Sequence, residues 1–163
     1  VSVPHIGTVH AADGFQVVAT QNPVEYVATG HLSEALRDRF EHLALHYQDA
    51  AEELAIVRRE TACHDDGLVS AAVRLTRATR RHPRFRKGAS IRAAVAMVSI
   101  ASGLDGEGAL RRAMDAALTT RVDLRDDIDA DMTSALDELY EQVVVRGEDP
   151  DAADGEDGAG PKA

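Results

Sequence analysis

Hydrophobic and polar positions along this chain follow two different periods, and the change between them divides it. Phe15-Gln16-Val17-Val18-Ala19-Thr20 is a near-continuous apolar run after the turn pair Asp13-Gly14. It predicts a strand buried on both faces of a parallel sheet. Asn22-Pro23 ends it, since the residue before proline is held extended and proline cannot donate to a ladder. Upstream, Val1-Ser2-Val3 and Thr8-Val9-His10 flank Pro4-His5-Ile6-Gly7 and predict a hairpin. Downstream, Ser33 is placed to cap a short helix through Arg39. Leu43, Leu45 and Tyr47 then alternate with His42, Ala44 and His46, the period of a strand.

From Asp49 onward the period is helical. Asp49 with Glu52 forms a capping box, and Leu54, Ile56 and Val57 carry that helix to about Thr61. A second helix runs from about Gly67 to Arg81 and stops before Pro83. Ser90 is expected to cap a third helix ending at Gly103, and Asp105 a fourth through about Thr120. Leu136, Leu139, Tyr140, Val143 and Val144 make the i, i+3, i+4, i+7, i+8 stripe of a last helix, capped by Asp131 or Thr133. From Gly147 on there is no periodicity, and Gly, Asp, Glu, Pro and Ala predict a disordered acidic tail.

Composition sharpens this picture. A length of 163 residues fits one domain, or part of one with an appendage. Aromatics are only 4% and tryptophan is absent, so Ala, Val and Leu fill the core, which favours helices over a β-sandwich. No apolar run approaches the roughly 20 residues of a spanning helix, and no signal peptide opens the chain. The single cysteine, Cys63, rules out an internal disulfide framework and fits a reducing compartment, so the expected location is cytoplasmic. The chain starts at Val1 rather than Met, which fits a processed chain or a gene fragment. Its net charge of −10 is uneven. Residues 148–163 carry six acids against Lys162, while Gly67 to Leu104 holds no acid and eight cations: Arg74, Arg77, Arg80, Arg81, Arg84, Arg86, Lys87 and Arg92.

Three short segments carry candidate chemistry. In Ala19-Thr20-Gln21-Asn22-Pro23, Asn22 sits at a strand tip, where a neutral amide can donate and accept without adding charge. In Leu36-Arg37-Asp38-Arg39-Phe40, a short helix delivers Arg39, a planar and permanently charged fork able to hold two phosphoryl oxygens. In Gly88-Ala89-Ser90-Ile91-Arg92-Ala93, Ser90 as N-cap leaves Arg92 in the first helical turn, beside free N–H groups that favour anions. An amide at a strand tip followed by an arginine helix suits nucleoside-triphosphate chemistry.

In that order these segments resemble the sensor 1 strand, arginine finger and sensor 2 helix of the MoxR-type AAA+ ATPases. Over about Val1 to Leu104 the resemblance rests on specific motifs, and it extends weakly to Val144. It implies that Asn22 orients the water attacking the γ-phosphate, that Arg39 reaches the ATP of a neighbouring subunit, and that Arg92, with Ser90, closes on the γ-phosphate of its own subunit. Two departures stand out. Ile91 replaces the usual proline, and Thr29-Gly30-His31-Leu32-Ser33 replaces the usual Thr-Tyr-Pro-Leu-Pro. The chain has no Gly-x-x-x-x-Gly-Lys-Ser/Thr loop and no strand ending in an Asp-Glu pair, so the phosphate cradle and the Mg2+ ligands are expected outside it.

The implied fold is α/β plus an α-helical lid: a partial P-loop NTPase core, the terminal strands of a parallel sheet, then a helical bundle. Residues 1–48 would be the C-terminal part of the core with its N-terminal hairpin, 49–146 the lid and 147–163 the tail. The implied cofactors are ATP and Mg2+. The implied partners are other ATPase subunits in a hexameric ring, a von Willebrand A-domain protein and a client complex. Because the neighbours of the Phe15–Thr20 strand lie largely outside the chain, exposed apolar faces and partner-dependent folding are expected.

Other constellations compete. His42 and His46 would be half a zinc site on a helix, but on a strand they lie about 13 Å apart with no third ligand. Asp127, Asp129, Asp131 and Glu138 mimic a calcium loop, yet Met132 stands where glycine is needed and Ser134 where an aliphatic residue is preferred. These acids read as a solvated linker and a helix cap. Cys63-His64 has no partner set for nucleophilic catalysis and reads as a helix end. No metal site is expected. The alternative function is a non-enzymatic helical module that binds nucleic acid or protein through Arg74–Arg92. An acidic body, few aromatics and no helix-turn-helix pattern weigh against nucleic acid.

Overall fold

A computed structural model describes residues 2–5, 7–8, 10–20, 38–127, 129, 131–148 and 150–151. The chain divides into two units, Val1–Leu45 and His46–Ala163.

In the first unit, β1 (Ser2–Val3) pairs antiparallel with β2 (Gly7–Thr8), Ser2 opposite Thr8 and Val3 opposite Gly7. This is the expected hairpin, with Gly7 in its second strand. A turn follows, in which the Phe15 N–H donates to the Ala12 carbonyl at 3.1 Å and Gly14 takes φ +78°. Phe15–Thr20 is not a strand here. Its apolar side chains lie open, with Phe15 66% and Val18 88% exposed. A strand exists only through a paired neighbour, and the described residues of this unit offer only a ladder of two-residue strands. Leu43, Leu45 and Tyr47 are likewise exposed and outside any strand, against the alternation of their sequence.

The second unit is built on five α-helices. Asp49 closes a full capping box on α1 (Ala50–Thr61): its Oδ1 accepts from the Glu52 N–H at 2.8 Å, while Glu52 Oε2 accepts from the Asp49 N–H at 3.3 Å. Ala62 ends that helix in the left-handed region, φ 51°. Asp65 caps α2 (Asp66–Thr79), accepting from the Leu68 N–H at 3.0 Å. Then come α3 (Ile91–Ala101), α4 (Ala109–Leu118) and α5 (Met132–Tyr140). Asp131 Oδ1 caps α5 by accepting from Ser134 N–H at 2.9 Å, and a π-helical turn, Glu141–Val145, continues it. Asp105 does not cap α4. Gly106 and Gly108 take φ +84° and +80°, a left-handed geometry that no helix passes through, so the helix starts only at Ala109.

Helix α2 is the hub. It packs on α1, α3, α4, α5 and the π turn, and buries Val69, Ala72, Val73, Leu75, Thr76, Ala78 and Thr79. Facing it are Val57 of α1, Met97 and Val98 of α3, Met114 and Leu118 of α4, and Leu139 of α5, none more than 0% exposed. Burying each leucine-sized side chain contributes about 1.5–3 kcal/mol. Fully buried alanines (Ala72, Ala93, Ala94, Ala113, Ala117) let the helix backbones approach closely.

Phe85–Lys87, given no element by the sequence pattern, forms β3, which pairs antiparallel across a bulge with β4 (Asp123–Leu124). The partner lies almost forty residues away and only two residues long, too short to carry an alternating pattern. At the C-terminal end, Glu148, Pro150 and Asp151 lie against α2 and the turn that follows it instead of in free solution, because Arg74, Arg77 and Arg81 hold them. Among the described residues no helix is long and apolar enough to cross a membrane.

Candidate functional site

The segment from Gly88 to Arg92 is fastened to the end of α2 at three points. Gly88 lies so close to Arg80 that a Cβ there would stand 2.5 Å from Arg80 Cα and 2.8 Å from its backbone nitrogen. Only glycine allows that approach. The Ala89 N–H donates to Thr79 Oγ1 at 2.8 Å, and that hydroxyl donates in turn to the Thr76 carbonyl at 2.6 Å. The Ala89 carbonyl accepts from Arg80 Nε at 3.0 Å. Both Ala89 and Thr79 are buried, so the two bonds of the Thr79 hydroxyl are shielded from water.

From this clamp α3 starts at a fixed place. Ser90 is its N-cap in extended geometry, φ −82° and ψ 170°, but its hydroxyl makes no cap bond. The first-turn N–H groups of Ile91 and Arg92 therefore have no side-chain cap. Ile91, standing where the resemblance expects proline, packs its side chain against the core. Arg92 is exposed and has no hydrogen bond or ion pair among the described residues. No acid lies in the first turn of α3. A cation there opposes the helix dipole, which favours anions at this end.

The other arginines of the island are committed, whereas Lys87, like Arg92, is exposed and has no side-chain hydrogen bond or ion pair among the described residues. Arg80 Nη2 reaches Glu53 Oε1 at 2.7 Å, and Arg77 Nη1 reaches Glu53 Oε2 at 3.0 Å. Glu53 is itself fully buried on α1. The remaining side of Arg77 grips both oxygens of Asp151 at 2.7 and 3.0 Å. That bond holds the Arg77 pKa above its ordinary value and the Asp151 carboxyl below the usual carboxylate range. Arg84 pairs with Glu138 at 2.7 Å and Arg86 with Asp126 at 3.2 Å. Arg80 also stacks on the Tyr47 ring, 3.8 Å from its centroid. Glu53 was readable only as a position: it lies one helical turn before Val57, on the apolar face of α1.

Of the expected site residues, Ser90 and Arg92 stand together at the start of α3. Arg39 is exposed in a turn of the first unit, with only Asp38 and Arg39 of its expected helix described. Asn22 lies outside the described residues, as do Arg37 and the Thr29–Ser33 loop. The competing acids are used elsewhere: Asp127 pairs with Arg125 at 2.9 Å, Asp131 caps α5 and Glu138 holds Arg84. Among the described residues no group of three or more His, Cys, Asp or Glu side chains is arranged to hold a metal ion. Cys63 is half-buried against the core just past α1.

One further buried group escaped the sequence pattern. His82, 6% exposed, packs its ring 5.2 Å from that of Phe85, and its Nδ1 accepts from the Arg84 N–H at 3.3 Å. Desolvation lowers its pKa below the ordinary histidine value, with Arg84 acting in the same direction and Glu138 against it.

Comparison with known proteins adds one relative. The chain is 31% identical to the uncharacterized protein YeaC of Bacillus subtilis (strain 168) over 121 aligned residues, covering 58% of this chain and 38% of that protein. It thus spans well under half the length of the relative. No protein-family model matches the chain, and no solved structure matches it at a significant level.

Proposed function

We propose that this chain is the C-terminal portion of a MoxR-type AAA+ ATPase, a cytoplasmic machine that couples ATP hydrolysis to remodelling or maturation of a client complex. In this reading the helical unit is the lid. Arg92, with Ser90, meets the γ-phosphate of its own subunit, Arg39 reaches a neighbour's nucleotide in the ring, and Asn22 orients the attacking water. ATP supplies the phosphoryl group, and Mg2+ is held by carboxylates outside this chain. A von Willebrand A-domain protein is the expected partner.

One observation carries the reading. Arg92 is held in solvent at a helix start that favours anions, on a segment clamped by Gly88 and Ala89, while the arginines around it are engaged. Local physics gives a cation no reason to be there, and departures of this kind mark functional positions. An exposed guanidinium beside first-turn N–H groups fits a phosphate oxygen, as a sensor arginine requires. The alternative, a nucleic-acid grip through Arg74–Arg92, is weaker, because Arg77, Arg80, Arg84 and Arg86 already pair with the carboxylates of Glu53, Glu138 and Asp126.

Calorimetric titration of ATP into the purified chain tests the division of labour. With the phosphate cradle elsewhere, no appreciable binding is expected. Saturable micromolar binding would contradict the proposal.

A further inference from the structure

We propose that the arginine face of α2 is a receptor for an acidic peptide, and that the segment Gly147–Asp151 is its exchangeable occupant in cis. This inference does not depend on the nucleotide reading. Arg74, Arg77 and Arg81 follow one another at spacings of three and four, so they share one side of the helix and the turn that ends it. Each meets the C-terminal segment. Arg74 Nη2 donates to the Glu148 carbonyl at 2.7 Å, Arg81 Nη1 to the Pro150 carbonyl at 2.6 Å, and Arg77 takes the Asp151 carboxylate with two parallel bonds. Arg81 adds a second cation 3.6 Å from the same carboxylate.

The chemistry of recognition follows from these contacts. Two arginines read backbone carbonyls, which any residue supplies. Among the described residues of the segment, Asp151 is the one held by its side chain, and the paired fork of Arg77 matches a carboxylate. Charge makes the demand strong. Arg77 and Arg80 have side chains only 15% and 11% exposed, and between them they share the buried acid Glu53. Without Asp151 this half-buried centre carries an uncompensated positive charge, which is costly away from water. The face therefore calls for one more anion, delivered on an extended backbone.

The same contacts make the occupant exchangeable. Its hold consists mainly of hydrogen bonds and ion pairs at a partly wet surface, not of a buried apolar anchor, and such bonds are modest net contributors. Clefts flank it on both sides, one lined by Leu54, Val73 and Arg74, the other by Ala78, His82 and Val143. A partner peptide longer than the cis segment has room for side chains there. Beyond Asp151 the sequence repeats the chemistry with Asp154, Glu156 and Asp157, so the occupant in trans is the same acidic segment of a neighbouring copy.

The test keeps the chain whole. A fluorescent peptide with the sequence of residues 147–157 is titrated into the wild-type chain and into Asp151→Asn, read by anisotropy at low salt. The Asp151→Asn chain is expected to bind it at least tenfold more tightly than wild type, because its own segment no longer competes. A peptide with asparagine at the matching position is expected to lose at least tenfold, with the protein untouched. Equal binding by the two chains, equal binding of the two peptides, or no binding by either chain at millimolar peptide would overturn the proposal. So would displacement of the peptide by a short single-stranded DNA as readily as by unlabelled peptide.

Discussion

Replacing Gly88 by alanine puts the clamp behind Arg92 to a direct test. The added Cβ would meet Arg80 Cα at 2.5 Å, its backbone nitrogen at 2.8 Å and its Cγ at 2.8 Å. Two of those atoms are backbone at the C-cap of α2, so they cannot swing aside, and the Gly88–Ala89 segment must move off α2. Overpacking of this kind costs about 1–3 kcal/mol. The same displacement lengthens the bonds from Ala89 N–H to Thr79 and from Arg80 to the Ala89 carbonyl, each worth about 1 kcal/mol net. The expected loss is thus roughly 2–4 kcal/mol. In a unit of this size each kcal/mol moves the melting temperature by about 4–8 °C, so a fall of roughly 8–32 °C is expected. Thermal and urea unfolding followed by circular dichroism measure it. Gly103→Ala is the control, since the nearest atom to a Cβ there is a carbonyl oxygen at 3.6 Å, an ordinary contact. If Gly88→Ala unfolds with Gly103→Ala and wild type, the close approach is not a constraint and the clamp argument fails.

Glu53→Gln leaves Arg77 and Arg80 without their shared buried acid, and is expected to destabilise by about 3–5 kcal/mol in urea unfolding. Arg92→Glu removes a cation from the first turn of α3 and puts an acid there, so it should raise stability by about 0.3–1 kcal/mol at low salt. A loss of stability would instead mean that Arg92 holds the fold. Because burial depresses the His82 pKa in the folded chain, the unfolded chain takes up its proton first as pH falls. The contribution of His82 is therefore complete above about pH 6.5 and declines as pH drops toward the lower folded value. Melting temperatures measured across this range should fall less steeply for His82→Leu than for wild type.

Local signals in the sequence located most of the helices. The Asp49–Glu52 capping box and the Asp131 cap are interactions within one turn, so spacing alone discloses them. Asp105 fails as a cap for a local reason as well: two glycines in left-handed geometry separate it from α4. What spacing cannot disclose is a partner far along the chain. The arginines of α2 looked like a free cationic face because Glu53 lies on another helix and Glu148 and Asp151 lie some seventy residues on. β3 escaped notice because its short partner strand is equally remote. The candidate site was legible as Gly-Ala-Ser-Ile-Arg, and the place of Ser90 and Arg92 at a helix start followed from the cap. The need for glycine at position 88 did not, since it arises from contact with the Arg80 backbone.

The central claim is that Arg92 is displayed for a nucleotide phosphate. Steady-state ATP hydrolysis by the complete gene product carrying Arg92→Ala tests it most directly, with Arg58→Ala, a surface ion-pair variant, as the control. Removing one pre-placed donor to developing charge costs about 10²–10³ in turnover. The account predicts a fall of that order for Arg92→Ala with its melting temperature unchanged or slightly raised, and unaltered turnover for Arg58→Ala. Turnover by Arg92→Ala equal to wild type would contradict it.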